Sequence, residues 1–196
     1  MAQVIVLAGP SGSGKSRLAQ RLGLPVLRLD DFYRDGDDPS LPRSTLGIVD
    51  WDDPGSWDVD AACDAIEELC RTGRVAAPVY DIAANAAVAT QVVELGPHER
   101  FVAEGLFAPL VVAECRDRGV LADAVCVRHH RLVTFALRFA RDLSEHRKPP
   151  WVLLRRGRRL MRDEPHVVAE AVAHGCRPMS PRRAEAVLGR SSATTR

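Results

Sequence analysis

Residues 4–22 read VIVLAGPSGSGKSRLAQRL. Val4 to Ala8 is an unbroken apolar, largely β-branched run ending at Gly9, the pattern of a strand buried on both faces of a parallel sheet. From about Lys15 to Leu22 the spacing predicts a helix. Between them, residues 9–16 fit GxxxxGK[ST], with the strand before it and the helix after it that this pattern requires. Glycines let the backbone curl so that successive N–H groups point inward at phosphate oxygens, and the helix start adds its positive dipole end. The expected phosphate cradle is Gly9, Ser11, Gly12, Ser13, Gly14, Lys15 and Ser16. Lys15 reaches the β- and γ-phosphates and the Ser16 hydroxyl ligates Mg²⁺. An accidental Gly/Ser turn is the competing reading. It is weakened by composition, because the chain has only two lysines, Lys15 and Lys148, and one stands at the required place.

The chain of 196 residues, 46% hydrophobic and 27% charged, is long enough for one ordinary core and too short for two comfortable domains. We expect a single domain over 1–190 and a disordered tail over 191–196. Val4–Ala8 is too short for a signal-peptide core or a membrane span, so a cytoplasmic protein without membrane partners is expected. Five cysteines without CxxC spacing read as buried thiols. Net charge is +1, with the basic residues concentrated after residue 126. Without interleaved aromatics or a nucleic-acid motif, that asymmetry does not predict nucleic-acid binding.

Farther along, residues 25–32 (PVLRLDDF) read as a second strand ending in acids. Residues 34–57 form a long loop rich in Asp, Pro and Gly, flanked late by Trp51 and Trp57, which either line a cleft or pack the loop. Asp58 caps a helix that Gly73 ends. Residues 75–80 and 90–95 are two short strands, a hairpin subdomain over 75–96. Strands follow at 100–107 and 123–127, then a long helix from about Arg131 and further helix to about 173. Residues 175–180 read as an irregular turn before a last helix capped by Ser180. Strands alternating with helices imply α/β architecture with a largely parallel sheet.

Two acidic strand ends stand out. Asp30 and Asp31 end one strand and Glu104 another, and open α/β sheets bind ligands at the carboxyl ends of their strands. Phosphoryl transfer to an alcohol needs Mg²⁺ near the γ-phosphate and a carboxylate to take the hydroxyl proton. These residues can supply both. The alternatives, a solvated turn for Asp30-Asp31 and an arginine-paired carboxylate for Glu104, stay open at this point.

The segments GPSGSGKS, LDDFYR, DWDDPGSWD, PVYD and FVAEGLF stand in the order and rough spacing of the uridine kinase family of P-loop nucleoside kinases, related to phosphoribulokinase and pantothenate kinase. The resemblance covers about residues 4–148. It implies a three-layer α/β/α P-loop fold with sheet order 2-3-1-4-5, a small hairpin over the acceptor and a helical lid over 131–150. It also implies ATP-dependent phosphorylation of the 5′-hydroxyl of uridine or cytidine. Carried over by position, Asp30 resembles the general base and a magnesium neighbour, and Glu104 the acid that positions magnesium. Tyr33 would line the nucleoside pocket, Asp52 would accept from ribose hydroxyls and Tyr80 would contact the base. Arg138 and Arg141 resemble the lid arginines that close over the phosphates; as residues alone they also fit i,i+4 pairs with Asp142 and Glu145, a reading that does not exclude the first. The chain departs from the pattern at Asn85, where the family usually has histidine, and at Ile82, where an aromatic is usual. A P-loop kinase for a non-nucleoside alcohol, or a nucleotide-binding regulatory protein without kinase activity, therefore stands beside the nucleoside kinase.

Overall fold

The computed structural model describes residues 1–10, 12–128 and 165–192. In chain order these hold β1 (Gln3–Ala8), α1 (Lys15–Leu22), β2 (Val26–Arg28), α2 (Val59–Thr72), β3 (Arg74–Asp81), β4 (Ala86–Glu94), β5 (Arg100–Glu104), α3 (Val112–Asp117), β6 (Leu121–Val127), α4 (165–173), β7 (Arg177–Met179) and α5 (Pro181–Ser192).

The apolar run is the middle of the main sheet. β1 pairs in parallel with β5 on one side and β6 on the other, and β2 and β7 complete the order β2-β5-β1-β6-β7, every pairing parallel. Counted without the two hairpin strands, that order reads 2-3-1-4-5. The continuous hydrophobicity of β1 follows from its two faces. Val4, Val6 and Ala8 join the core beneath α2 and α3, while Ile5 and Leu7 join a second core with Leu18 and Ala19 of α1 and Ala184 and Leu188 of α5. The result is three layers, helix on sheet on helix.

Helix ends follow local chemistry. The Asp58 carboxylate accepts from the Ala61 amide at the start of α2, and Gly73 ends that helix in the left-handed region with its N–H on the Leu69 carbonyl. The hairpin β3–β4 is a separate two-stranded antiparallel sheet. All five cysteines are buried. Burial pushes the thiols of Cys63 and Cys70 up to about 11 and those of Cys115 and Cys176 up to about 12, so these four stay protonated at neutral pH. Among the described residues, no helix is long and apolar enough to cross a membrane.

Several expectations are revised. The second strand stops at Arg28, and Leu29–Asp31 is a 3-10 turn that re-aims the acids. The second hairpin strand begins at Ala86, four residues before the expected start. The supposed irregular turn contains β7, which Pro178 and only three residues disguise; its strand character comes from pairing with Val125, Cys126 and Val127. The last helix runs on to Ser192, into the stretch expected to be disordered. The lid expected over 131–150, with Arg138 and Arg141, lies outside the described residues, as do Ser11 and 193–196.

Trp57 packs the acidic loop and does not line a cleft. It is 2% exposed, and its indole N–H donates to the Leu29 carbonyl at 2.7 Å. Trp57→Phe removes the shorter of two bonds to that carbonyl, which still accepts from the Phe32 amide at 3.2 Å, an expected loss of about 0.5–1.5 kcal/mol measured by urea unfolding. A loss below about 0.5 kcal/mol would show that the bond is dispensable.

Candidate active site

Parallel pairing brings the functional ends together. The register sets Leu7 beside Glu104 and Arg28 beside Glu104, so the loop after β1, the turn after β2 and the end of β5 share one edge of the sheet.

The loop after β1 is shaped by backbone freedom. Gly9, Gly12 and Gly14 have φ of 135°, 78° and 89°, where side chains are strongly disfavoured. Gly9 also abuts β6: a Cβ there would stand 2.3 Å from the Val127 carbonyl oxygen. Lys15 Nζ donates to the Gly9 carbonyl at 2.8 Å, so its ammonium lies across the loop. The Ser13 side chain is fully buried, and its hydroxyl has no hydrogen-bond partner among the described residues. Ser16 in the first turn of α1 donates to Glu104 Oε1 at 2.8 Å, joining the helix start to the end of β5.

The two adjacent aspartates are sorted by the 3-10 turn. Asp30 is exposed, and its Oδ1 accepts from the Leu106 amide at 2.6 Å. Asp31 is 2% exposed and turns inward. Its Oδ1 accepts from the Tyr80 amide at 3.3 Å, and its Oδ2 lies 3.4 Å from Arg28 Nε. Burial raises its pKa, while Arg28 pulls in the opposite direction. Spacing alone does not separate the two carboxylates, and family resemblance points to Asp30; the structure leaves Asp30 exposed and buries Asp31.

Beside Asp30 lies a group of rings. Tyr33 meets Trp51 at 5.9 Å, Tyr80 at 5.7 Å and Phe107 at 5.9 Å between centroids. Burial raises the Tyr33 hydroxyl well above its ordinary pKa, and the charges of Asp30 and Asp52 add to the rise. The phenol is therefore neutral, and both carboxylates lie close enough to act on it. This places Asp30, Tyr33, Asp52 and Tyr80 in one neighbourhood. The Tyr80 hydroxyl donates to the Arg34 carbonyl at 3.2 Å, leaving its ring as the surface it presents.

Asn85 has a different local task. It occupies the hairpin turn at φ 50°, the left-handed conformation that asparagine tolerates, and its carbonyl accepts from the Gly36 amide at 2.7 Å. Ile82 in the same turn is 85% exposed.

The profile of the phosphoribulokinase/uridine kinase family matches residues 4–148, about three quarters of the chain. The chain belongs to that family. This phosphoribulokinase/uridine kinase family chain is 26% identical over 149 residues to the uridine kinase of Brevibacillus brevis, covering 72% of this chain and 67% of the relative. It is 28% identical over 149 residues to the uridine kinase of a Geobacillus species, covering 72% and 68%. A crystal structure from a Silicibacter species, provisionally assigned as a fructose transport system kinase, superposes with a TM-score of 0.56 at 20% identity, over 92% of this chain and 88% of that one. It shares the three-layer fold.

Two positions in the family member's site were not singled out as candidates from sequence. A Cβ on Gly105 would stand 2.8 Å from Asp30 Oδ1 and 2.9 Å from Leu29 Cβ, so only glycine lets the ends of β2 and β5 approach this closely. Phe107, 9% exposed, closes the ring group from beneath. The available signal was the GLF run directly after Glu104, which reads equally well as core.

Proposed function

We propose that this protein is an ATP-dependent kinase that transfers the γ-phosphoryl group to a hydroxyl of a small acceptor, with the 5′-hydroxyl of uridine or cytidine as the leading candidate. The observation that carries the reading is the convergence at one sheet edge of the glycine loop with Lys15, the Ser16–Glu104 pair and the exposed Asp30.

The residues fit a magnesium nucleotide. Gly9, Gly12 and Gly14 carry no side chain to crowd an approaching phosphate, and the Ser16 hydroxyl and Glu104 carboxylate are hard oxygen donors already in contact. Ser16, Glu104 and Asp30 are the residues that would hold magnesium, directly or through water. When bound, the metal neutralises charge developing on the phosphate oxygens. The amides of Gly12, Gly14, Lys15 and Ser16 hold the triphosphate, and Lys15 exchanges its Gly9 carbonyl for phosphate oxygen. Asp30 accepts the acceptor's hydroxyl proton as that oxygen attacks phosphorus and the bond to the nucleoside diphosphate breaks. Tyr33, Tyr80 and Asp52 provide the acceptor side: two ring faces and a carboxylate suited to sugar hydroxyls. Arg138 and Arg141 are proposed to close over the phosphates on family resemblance alone.

One observation favours a second reading, a non-nucleoside alcohol as acceptor. Asn85 is committed to a turn, Ile82 points to solvent and the Tyr80 hydroxyl is bonded to backbone, so the base-reading positions carry little polar recognition. A panel of nucleosides, sugars and pantothenate-like alcohols, assayed for ATP consumption and for thermal stabilisation with a non-hydrolysable ATP analogue, decides between them. Phosphorylation of uridine or cytidine above other acceptors supports the first reading. Preference for a sugar or another alcohol supports the second. ATP analogue binding with no accelerated consumption by any acceptor would overturn both.

A further inference from the structure

The segment that carries Asp30 and Tyr33 is joined to the hairpin by four hydrogen bonds that the chemistry above does not use. Asp31 Oδ1 accepts from the Tyr80 amide at 3.3 Å, and the Arg34 carbonyl accepts from the Tyr80 hydroxyl at 3.2 Å. Asp35 Oδ1 accepts from the Ala87 amide at 2.9 Å, and the Gly36 amide donates to the Asn85 carbonyl at 2.7 Å. The bonds therefore reach both strands of the hairpin and its turn. Three of the four use the hairpin's backbone, so they hold it without dictating its side chains. The two carboxylates make charge-assisted bonds, stronger than neutral ones. Fit at the last contact is close: a Cβ on Gly36 would stand 2.9 Å from Asn85 Cβ.

We infer that residues 31–36 act as a clasp that fixes the β3–β4 hairpin against the strand end carrying Asp30, making Asp31 and Asp35 positioning residues for acceptor binding. The inference rests on the proposed kinase reading for its catalytic consequence. Tyr80 and Tyr33 face each other across the joint, 5.7 Å between centroids, so a hairpin that swings away takes one wall of the acceptor side with it. The phosphate loop hangs on β1 and on the Ser16–Glu104 bond, and does not share the clasp. Loosening the clasp should therefore weaken acceptor binding and spare the nucleotide. Orientation of this kind is worth large factors when lost, because a small displacement separates reacting groups.

The test uses two exposed positions in the full chain. Asp35→Ala removes one bond, and Gly36→Ala drives a methyl group between the segments. Each is expected to raise the acceptor KM about tenfold while the ATP KM stays within about twofold. Asp35→Asn keeps an acceptor oxygen for the Ala87 amide and should recover most of the loss. Hydrogen exchange of the hairpin amides, read without acceptor, should accelerate about tenfold in the first two variants and not in the third. Unchanged exchange would overturn the clasp. Accelerated exchange with acceptor and ATP KM moving together, or neither moving, would overturn its positioning role. Failure of the wild-type protein to phosphorylate any acceptor would instead refute the kinase reading and the positioning role with it, leaving exchange to judge the clasp as a structural joint.

Discussion

Asp30→Asn is expected to lower kcat by a factor of about 10²–10⁴, the range a positioned general base contributes. Asparagine is nearly isosteric, and its side-chain oxygen can still accept from the Leu106 amide as Asp30 does at 2.6 Å, so the joint between β2 and β5 survives. What is lost is a group able to take a proton. Affinity for a magnesium–ATP analogue, measured by calorimetry, should change only modestly, because the loop amides, Lys15, Ser16 and Glu104 remain. A mutant turning over within about tenfold of wild type would remove Asp30 from the role of base.

The second large effect is expected at the start of the loop. Gly9→Ala meets two obstacles together: φ of 135°, which a side chain tolerates poorly, and a Cβ position 2.3 Å from the Val127 carbonyl oxygen. Backbone strain and overpacking each cost about 1–3 kcal/mol, so a loss near or above about 3 kcal/mol is expected in urea unfolding. The obstructing atom is backbone of β6, which cannot move aside as a flexible side chain can. The loop should shift, and nucleotide affinity should fall with stability. Wild-type stability together with wild-type affinity would mean that the close approach of Gly9 to β6 is unimportant.

Legibility in the sequence tracked how local each cause was. The run Val4–Ala8 announced a strand buried on both faces because its residues alternate between two cores, and the glycine loop was readable from spacing alone. Asp58 and Gly73 were readable as helix ends because a cap acts within a few residues. β7 was missed because Arg177, Pro178 and Met179 have no strand pattern of their own; β6 supplies it. Gly105 was passed over because the crowding that requires glycine comes from Leu29 and Asp30, some 75 positions earlier. The task of Asn85 was equally hidden: its partner, Gly36, lies on the other side of the joint.

By itself, then, the order of residues determined the parallel α/β architecture, the glycine loop after the first strand and the acids at or just beyond two strand ends. Each of these is encoded by periodicity or by spacing within one segment. Tertiary structure alone decided that Asp31 is buried against Arg28 and the Tyr80 amide while Asp30 stays exposed, that Trp57 packs while Tyr33 and Tyr80 face one another, and that the hairpin is bonded to residues 31–36. Those outcomes depend on the direction of a side chain after a turn and on atoms brought close from distant segments, and no local pattern carries that information.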